Sequence, residues 1–365
     1  MGILNSGRRV MKMLIEKSYC IGQLYGEFKK IADPRRMKLI EQVKLTDIEK
    51  KKIDAFYEEN YGKKVKYNWH KLYQSFTGKF DENYFPEFLF SSILEPKMNA
   101  VDYRYVLDDK LMLPLYCIGI PNTRTPRTYY TISNGICFDE HKQIIECNEN
   151  VPIMDMSNSV IIKPVQDTSS GVGVRKISGI ENIRAALLVA VKDNKSVIVQ
   201  ECICQNIKLS KLNPSSVNTF RVITYLWNGK VCHVPVTLRI GQGGSFLDNA
   251  HAGGMFVAVN DNGVLGDVAF TEFGDRYTEH PDTHFQFKGY ELDFVPQIID
   301  VSKKMHLNTP QIGIISWDIT VDQNGTIVVI EANTRGQGIW LPQMAHGKGP
   351  FGENTSDILR YISHR

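Results

Sequence analysis

The stretch that decides the fold is residues 312–333, which read IGIISWDITVDQNGTIVVIEAN. Two apolar runs rich in β-branched residues lie on either side of Asn324-Gly325, a dipeptide that favours a two-residue hairpin turn. Runs of this length and composition predict buried strands rather than helices. The stretch therefore predicts an antiparallel hairpin at the centre of a sheet.

Three polar side chains interrupt this hairpin. Asp318 lies in the first strand, and Glu331 and Asn333 stand at the end of the second. Side chains two residues apart on a strand face the same side, and Asp318 can join them from across the hairpin. Two carboxylates and an amide oxygen form an oxygen-only ligand set that suits Mg²⁺. The alternative is a solvated carboxylate pair, but ionised carboxylates in such apolar strands need a cationic partner, which favours a functional site.

A second candidate feature precedes the hairpin. Lys163 ends the apolar run 159–164, and a loop rich in serine and glycine follows at 167–174. Backbone N–H groups in such a loop can surround phosphate oxygens, and a nearby lysine can neutralise them. The loop is neither a Walker A motif nor a dinucleotide-binding glycine fingerprint. By itself such a loop is more often an ordinary turn than a nucleotide site.

The rest of the chain predicts a mixed fold. A helix is expected at 180–193, and apolar runs predict further strands at 196–201, 219–225, 230–240 and 254–259. Asn228-Gly229 predicts another two-residue hairpin turn. The first hundred residues are polar with helical periodicity, including the capping box that begins at Thr46 and the helix start at Asp33-Pro34. The predicted class is α+β, with antiparallel sheets after a mainly helical N-terminal region.

The amino-acid composition indicates the broad class to which the protein belongs. The chain has 365 residues, of which 42% are hydrophobic and 23% charged, as in an ordinary globular enzyme. No apolar run is long enough for a transmembrane segment, and residues 1–17 lack the pattern of a signal peptide. The seven cysteines form no CxxC pair, which favours reduced thiols. We therefore expect a cytoplasmic protein.

Charge is distributed unevenly along the chain. Residues 1–70 contain 16 Lys and Arg against 9 Asp and Glu, although the formal net charge of the whole chain is only +3. The excess indicates an anionic partner for the N-terminal region, and the lysines at 50–52 and 63–66 are the candidates to recruit it. A solvated helical surface is the alternative interpretation.

Taken together, these features resemble the ATP-grasp superfamily, which includes D-alanine–D-alanine ligase. The resemblance covers roughly residues 105–345 and rests on the order of its motifs, which are Asp109-Lys110, Ile162-Lys163-Pro164 with the Ser/Gly loop, Gln200-Glu201, Trp317-Asp318 and Ile330-Glu331-Ala332-Asn333. Residues 212–222, with Arg239-Ile240-Gly241 and Asp248-Asn249, resemble the branch called sugar-transfer associated ATP-grasp proteins.

The resemblance implies two α+β subdomains that clasp ATP. It implies a linking segment with the small subdomain at 96–205 and a large subdomain at 206–365. Residues 1–95 depart from D-alanine–D-alanine ligase, and there we expect a helical cap that helps to recruit substrate and covers one side of the ATP cleft. The residues implied to bind ATP are Lys110, Lys163, Ser169, Ser170, Gly171, Gly173, Gln200, Glu201 and Cys204. Those implied to hold Mg²⁺ are Asp318, Glu331 and Asn333, and those implied to act on the transferred phosphoryl group are Lys163, Arg221 and Arg239. Lys208 stands where the ligases have a ribose-binding glutamate, so the resemblance assigns no ribose contact.

The implied activity is that of a carboxylate–amine ligase that uses ATP and Mg²⁺, passes through an acyl phosphate and releases ADP and phosphate. Its substrates would be small or glycan-linked carboxylates and amines, in polysaccharide, glycoconjugate or peptide-like metabolite biosynthesis. A kinase acting on a hydroxyl and a non-catalytic nucleotide-binding partner of a glycosyltransferase system are the alternatives. We expect no nucleic-acid partner, and the resemblance leaves a homodimer open.

Overall fold

The structure is a computed structural model that describes residues 2–148, 151, 159–166 and 171–363, with the backbone alone for residues 2–9. The helices are α1 (Gly2–Ile31), α2 (Pro34–Gln42), α3 (Asp47–Tyr61), α4 (Asn68–Thr77), α5 (Glu87–Leu89), α6 (Glu95–Met98), α7 (Val101–Leu107), α8 (Leu113–Tyr116), α9 (Ile180–Lys192), α10 (Ile207–Leu212), α11 (Val295–Leu307), α12 (Trp340–His346) and α13 (Thr355–Ser363). A π-helical turn at Phe90–Leu94 joins α5 to α6, and 3₁₀ turns lie at Ala250–Ala252 and Gly352–Asn354.

The strands form two sheets. They are β1 (Thr123–Arg124), β2 (Thr128–Ser133), β3 (Ile136–Asp139), β4 (Ile144–Ile145), β5 (Ser159–Pro164), β6 (Arg175–Ser178), β7 (Val197–Glu201), β8 (Thr219–Trp227), β9 (Lys230–His233), β10 (Val236–Ile240), β11 (Met255–Val259), β12 (Leu265–Thr271), β13 (Arg276–Tyr277), β14 (Ile314–Val321) and β15 (Ile327–Asn333).

Sheet order confirms the predicted α+β class. In the described part of the chain, the large sheet runs β1-β15-β14-β8-β10-β11-β12-β13, with β9 beside β8, and the small sheet runs β4-β3-β2-β7-β5-β6. All pairs are antiparallel except β1 with β15. The predicted single strand at 230–240 is wrong, because it is divided into β9 and β10. Pro235 lies in the gap, where it has no backbone N–H to give to a ladder.

The hairpin of β14 and β15 lies inside the large sheet, as predicted. Asp318 stands opposite Glu331 in the register, with a bulge immediately after Asp318. The predicted two-residue turn at Asn324-Gly325 is longer, because the Asp322 carboxylate accepts hydrogen bonds from the backbone N–H groups of Asn324 and Thr326, both at 2.9 Å. The turn at Asn228-Gly229 does connect β8 directly to β9, and both residues have positive φ.

The N-terminal region is mainly helical, as predicted. The capping box of α3 is present: the Thr46 hydroxyl accepts from the Glu49 N–H at 3.2 Å, and the Glu49 carboxylate accepts from the Thr46 N–H at 2.7 Å. At α2 the Asp33 carboxylate accepts from the Arg35 N–H at 2.8 Å, and Pro34 occupies the first helical position. Among the described residues, no helix is both long enough and apolar enough to cross a membrane.

The buried side chain of Asn99 helps to join the helical region to the large sheet. Asn99 follows α6 and is fully buried. Its amide nitrogen donates to the carbonyl oxygens of Ile314 and Thr334, both at 2.7 Å, and its oxygen accepts from the N–H groups of Gly313 and Ile314 at 3.0 and 2.9 Å. Asn99 therefore holds the start of β14 next to the chain that follows β15, where the candidate site residues lie.

We expect Asn99→Ala to lower the free energy of unfolding by about 3 kcal/mol or more, because it leaves several buried backbone groups without partners. Urea denaturation followed by circular dichroism measures the change. Asn182→Ala is the matched control, since Asn182 donates one exposed hydrogen bond to the Ser178 carbonyl at 2.8 Å. Equal losses in the two variants would show that the Asn99 contacts contribute little.

Candidate functional site

One cavity of about 570 Å³ lies between the two sheets, with the helical region closing one end. This is the size range of small-molecule sites. The predicted site residues that line it are Lys110, Lys163, Gly171, Gln200, Glu201, Cys204, Arg221, Arg239, Asp318, Glu331 and Asn333. Gly173 does not line it, and Ser169 and Ser170 lie outside the described residues. Residues from both sheets thus meet at one site, while their individual roles stay predictions.

The floor of the cavity is a buried ion-pair network around Asp318. One carboxylate oxygen of Asp318 accepts from Arg221 Nε at 2.7 Å, and the other pairs with a terminal nitrogen of Arg239 at 3.0 Å. Burial alone would raise the pKa of Asp318, but the two guanidinium groups outweigh it and hold this pKa below its usual value. Burial lowers the pKa of Arg221. Asp318 is therefore an ionised carboxylate inside the sheet.

Arg239 is held by a second carboxylate that sequence reasoning did not assign to the site. Its guanidinium donates to the Thr219 hydroxyl oxygen from Nε at 3.0 Å and from a terminal nitrogen at 2.7 Å, and its Nε lies 3.5 Å from the Asp248 carboxylate. Asp248 also accepts hydrogen bonds from the Thr219 hydroxyl and backbone N–H. The Asp248-Asn249 pair had been noted only as part of the family resemblance, since nothing local in the sequence places it beside β10.

Two lysines supply positive charge at the cavity wall. Lys110 Nζ pairs with Glu331 at 2.8 Å, and the Lys110 backbone N–H donates to the Val165 carbonyl, which brings Lys110 to the end of β5. Lys163 stands in β5 itself and is buried. Within the described residues its ammonium group has no ion-pair partner, and burial lowers the pKa of Lys163 to about 8. A phosphate oxygen in this cavity would supply the missing counter-charge.

The candidate metal ligands fit a hard divalent cation by their chemistry. Asp318 and Glu331 are opposite each other, and Asn333 follows two residues later on β15, where its amide nitrogen donates to the Ser316 carbonyl at 3.3 Å. Among the described residues, no group of three or more His, Cys, Asp or Glu is arranged for a metal. The candidate set is thus two carboxylates and one amide oxygen, which suits Mg²⁺ with water and phosphate as its other ligands.

The segment that connects the two sheets carries a further ion-pair network. Arg124 in β1 pairs with Glu201 at the end of β7 and also with Asp322, the latter at 3.1 Å. The linker then passes the turn between β14 and β15, where the Cys204 carbonyl accepts from the Gln323 N–H at 2.8 Å. This network, which sequence reasoning missed, ties the small sheet to the large one beside the predicted adenine-binding segment.

The glycine loop enters the cavity at Gly171. A Cβ atom at Gly173 would lie 2.9 Å from the Pro164 ring, and Gly173 has a φ of +79°, so this position requires glycine. The loop therefore packs closely against the end of β5, next to Lys163. Its preceding residues, including the two predicted serines, fall outside the described part of the chain.

The helical region contributes a wall of the cavity through residues that the sequence analysis did not assign to the site. Glu27 and Lys30 of α1 and Glu87 of α5 line the cavity, together with His251 from the large subdomain. The lysines at 50–52 and 63–66 do not line it, and Lys64 pairs with Asp54 at 2.8 Å on an exposed surface. These lysines are far along the chain from the cavity residues, and only the packing of α1 decides which charges face inward.

The arrangement of these residues agrees with a comparison of the sequence with known families. A model of the family described as sugar-transfer associated ATP-grasp matches residues 174–357, about half of the 365 residues. The chain belongs to this family. The matched segment of this ATP-grasp protein contains Arg221, Arg239 and the candidate metal ligands, whereas Lys110 and Lys163 precede it. A comparison with curated protein sequences gives no match.

Solved structures similar to this ATP-grasp protein include several ligases and synthetases. VanG D-Ala:D-Ser ligase from Enterococcus faecalis is 16% identical with a TM-score of 0.39, over 74% of this chain and 62% of that chain. L-amino acid ligase from Bacillus licheniformis is 12% identical with a TM-score of 0.39, over 70% and 48%. N5-carboxyaminoimidazole synthetase from Staphylococcus aureus, complexed with ADP, is 10% identical with a TM-score of 0.39, over 63% and 45%. The match thus spans about half the length of the last two proteins.

The low pKa of Lys163 leads to a stability prediction. We expect Lys163→Met to raise the free energy of unfolding without nucleotide at neutral pH, by on the order of 3 kcal/mol, because it removes a buried charge. In the folded wild-type protein Lys163 loses its proton near pH 8, whereas in the unfolded protein it keeps this proton up to the ordinary lysine range. The free energy of unfolding of the wild type therefore rises with pH between these values, and its difference from that of Lys163→Met shrinks.

Urea denaturation of both proteins from about pH 7 to about pH 10 measures this difference. Lys192→Met, at an exposed position of α9, is the control and should give a small difference that is independent of pH. A constant difference between wild type and Lys163→Met across the pH range would contradict the prediction. We also expect ATP to raise the melting temperature of the wild type and Lys163→Met to lose that rise.

Proposed function

We propose that this chain is an ATP- and Mg²⁺-dependent carboxylate–amine ligase, which forms an amide bond through an acyl phosphate and releases ADP and phosphate. The observation that carries the proposal is the joint lining of one cavity, in a member of the ATP-grasp family, by four cationic side chains and the candidate metal ligands. The cations are Lys110, Lys163, Arg221 and Arg239, and within the described residues Lys163 has no carboxylate paired with it. Such a floor favours a polyanion such as ATP.

The proposed chemistry needs two steps. In the first, an oxygen of the substrate carboxylate attacks the γ-phosphorus of ATP, and the bond from this phosphorus to the ADP oxygen breaks. In the second, the nitrogen of an amine attacks the carbonyl carbon of the acyl phosphate, phosphate leaves, and the nitrogen loses a proton. Every atom and electron is accounted for without a covalent enzyme intermediate.

The first step brings an anion to a polyanion, so its main obstacle is charge repulsion. Lys163, which has no ion-pair partner among the described residues, is the side chain most available to a phosphate oxygen. Arg221 and Arg239 are held in place by Asp318 and Asp248, so they need little reorganisation when charge develops on the transferring group. Bound Mg²⁺ would neutralise phosphate oxygens, and Asp318, Glu331 and Asn333 would hold it.

The proposed nucleotide position follows from the two sheets. The adenine would lie at the linker from Gln200 to Cys204, and the phosphates would lie under the loop that contains Gly171. The substrates proposed are a uronic acid or amino acid as carboxylate, and an amino acid or amino sugar as amine. The family's description supports a setting in glycan biosynthesis.

Trapping of the acyl phosphate tests the proposal. The protein is incubated with ATP, Mg²⁺, hydroxylamine and a pool of uronic acids and amino acids. An acyl phosphate reacts with hydroxylamine to give a hydroxamate, which ferric ion makes visible. Hydroxamate that depends on both ATP and protein is the expected result. A phosphorylated hydroxyl with ADP release and no hydroxamate would instead support a kinase, and the absence of ADP release would support a nucleotide-binding partner.

We expect Glu331→Gln to lower turnover by about a hundredfold or more while ATP affinity stays within about tenfold. The substitution removes a charged candidate ligand and the partner of Lys110, but the linker and Lys163 remain. ADP release measures turnover, and calorimetric titration measures ATP affinity. Glu181→Gln, at an exposed position of α9, should behave as wild type. Full activity of Glu331→Gln at millimolar Mg²⁺ would remove Glu331 from the metal site.

A further inference from the structure

The cavity continues beyond its ionic floor toward the helical region. At that end its walls are Glu27, Lys30, Glu87, His251 and Trp340, and the same five residues line a small adjoining cleft. The cleft adds Arg36, Trp69, Leu72 and Tyr73 from the helices. This end therefore has its own polar and aromatic lining, which the ATP contacts proposed above do not use.

At this end of the cavity, His251 has a geometry that suits proton transfer. Its Nδ1 lies 2.6 Å from a carboxylate oxygen of Glu272, and the other oxygen of Glu272 accepts from Arg36 at 2.6 Å. Burial opposes ionisation of Glu272, but the hydrogen bond from His251 and the charge of Arg36 hold its pKa below the usual value. An ionised carboxylate only accepts hydrogen bonds, so Nδ1 carries the hydrogen and the neutral ring has its lone pair on Nε2.

Several contacts fix the position of the His251 ring. The Asn249 side chain accepts from the His251 backbone N–H at 2.9 Å, which caps the short 3₁₀ turn that carries the ring. The indole of Trp340 lies against the imidazole with their centroids 5.3 Å apart. Within the described residues, Nε2 has no protein partner. An oriented imidazole with a free lone pair thus stands at the cavity wall.

His251 is also close to the ionic floor. It lies three residues after Asp248, which contacts Arg239, so the two Cα atoms are within about 11 Å of each other. A substrate that reacts at the floor can therefore reach the imidazole. The side chain of His251 is 38% exposed, which leaves a route for a proton to solvent.

We infer that His251 is the general base of amide formation, and that the end of the cavity lined by Glu27, Glu87, His251 and Trp340 binds the amine substrate. This inference rests on the proposed ligase function and adds the second step to it. A primary amine is mostly an ammonium ion at neutral pH and cannot attack until it loses a proton. Nε2 accepts that first proton, and Glu272 stabilises the resulting imidazolium. The neutral amine then attacks the carbonyl carbon, phosphate leaves as the C–N bond forms, and the second proton passes from nitrogen to the departing phosphate.

The acidic wall fits an amine that arrives charged. Burial, and after it repulsion from Glu27, raises the pKa of Glu87 to about 8. Glu27 already has Lys30 as partner at 2.7 Å, while Glu87 accepts from the Ile339 N–H at 2.8 Å and the Tyr73 hydroxyl at 3.3 Å. A pKa of about 8 leaves Glu87 mostly protonated at neutral pH, and an ammonium ion bound beside it would favour its ionised form. The nucleophile predicted here is thus a cationic primary amine, in contrast to the anionic partner that the lysine-rich sequence indicated.

A comparison of two nucleophiles tests the inference. Hydroxylamine is uncharged at neutral pH and needs no base before it attacks, whereas amino acids and amino sugars arrive as ammonium ions. We expect His251→Asn to keep hydroxamate formation within about threefold of wild type and to lower amide formation with the amine pool by about a hundredfold or more. Asparagine can still donate to Glu272 from its amide nitrogen, so the local hydrogen bond is retained.

His284→Asn is the matched control, because His284 also pairs with a glutamate, Glu279, at 3.2 Å but lies on an exposed loop away from the cavity. It should leave both reactions unchanged. If His251→Asn loses both reactions equally, or neither, the assignment of His251 as a base is wrong. Wild-type protein that forms no hydroxamate would contradict the ligase function itself, which is a separate result.

The pH profile gives a second measurement. Glu272→Gln keeps an acceptor for Nδ1 but removes the charge that favours imidazolium, so the acidic limb of amide formation should move to lower pH. The other charged or titratable groups around the ring are Glu27, Lys30, Arg36, Tyr73 and Glu87, and all of them are unchanged in this variant. Hydroxamate formation serves as the internal control. An acidic limb that stays in place would overturn the role of the Glu272–His251 pair.

Discussion

The buried carboxylate of Asp318 is the constraint on which the site depends. An ionised carboxylate inside an apolar sheet is strongly unfavourable unless cations lie beside it. Arg221 and Arg239 supply them from β8 and β10, and Asp248 and Thr219 in turn hold Arg239. The order β14-β8-β10 places these strands side by side. Charge pairing and strand order therefore depend on each other, and together they produce a rigid floor of fixed charges.

The cavity exists because two sheets and a helical layer are joined at defined points. Arg124 joins the small sheet to the large one through Glu201 and Asp322, and Asn99 joins the helices to β14. Glu95 adds a further contact, since it accepts from the N–H groups of Gly336 and Gln337 at 3.0 and 3.2 Å. Each of these contacts is polar and has a defined geometry. They position the walls of the cavity more specifically than apolar packing alone would.

Much of this was predictable from local patterns. The hairpin of β14 and β15, the opposed Asp318 and Glu331 and the helical start of the chain follow from period-two alternation, from turn residues and from capping residues, all of which act over a few positions. The structure differs from these predictions where one side chain changes the course of the backbone. Asp322 lengthened the turn at Asn324-Gly325, and Pro235 divided one predicted strand into two.

The sequence by itself determined the α+β class and the order of the motifs, and it singled out Asp318, Arg221 and Arg239, whereas the pairing of Arg239 with Asp248 came from the structure. Only the tertiary structure decided which part of the helical region faces the cavity. The lysine-rich segments suggested a basic wall, yet Glu27 and Glu87 lie there, and Glu272 meets His251 only because β12 packs beside the 3₁₀ turn. Pairing of residues tens to hundreds of positions apart depends on the packing of whole elements, and a local pattern carries no information about it.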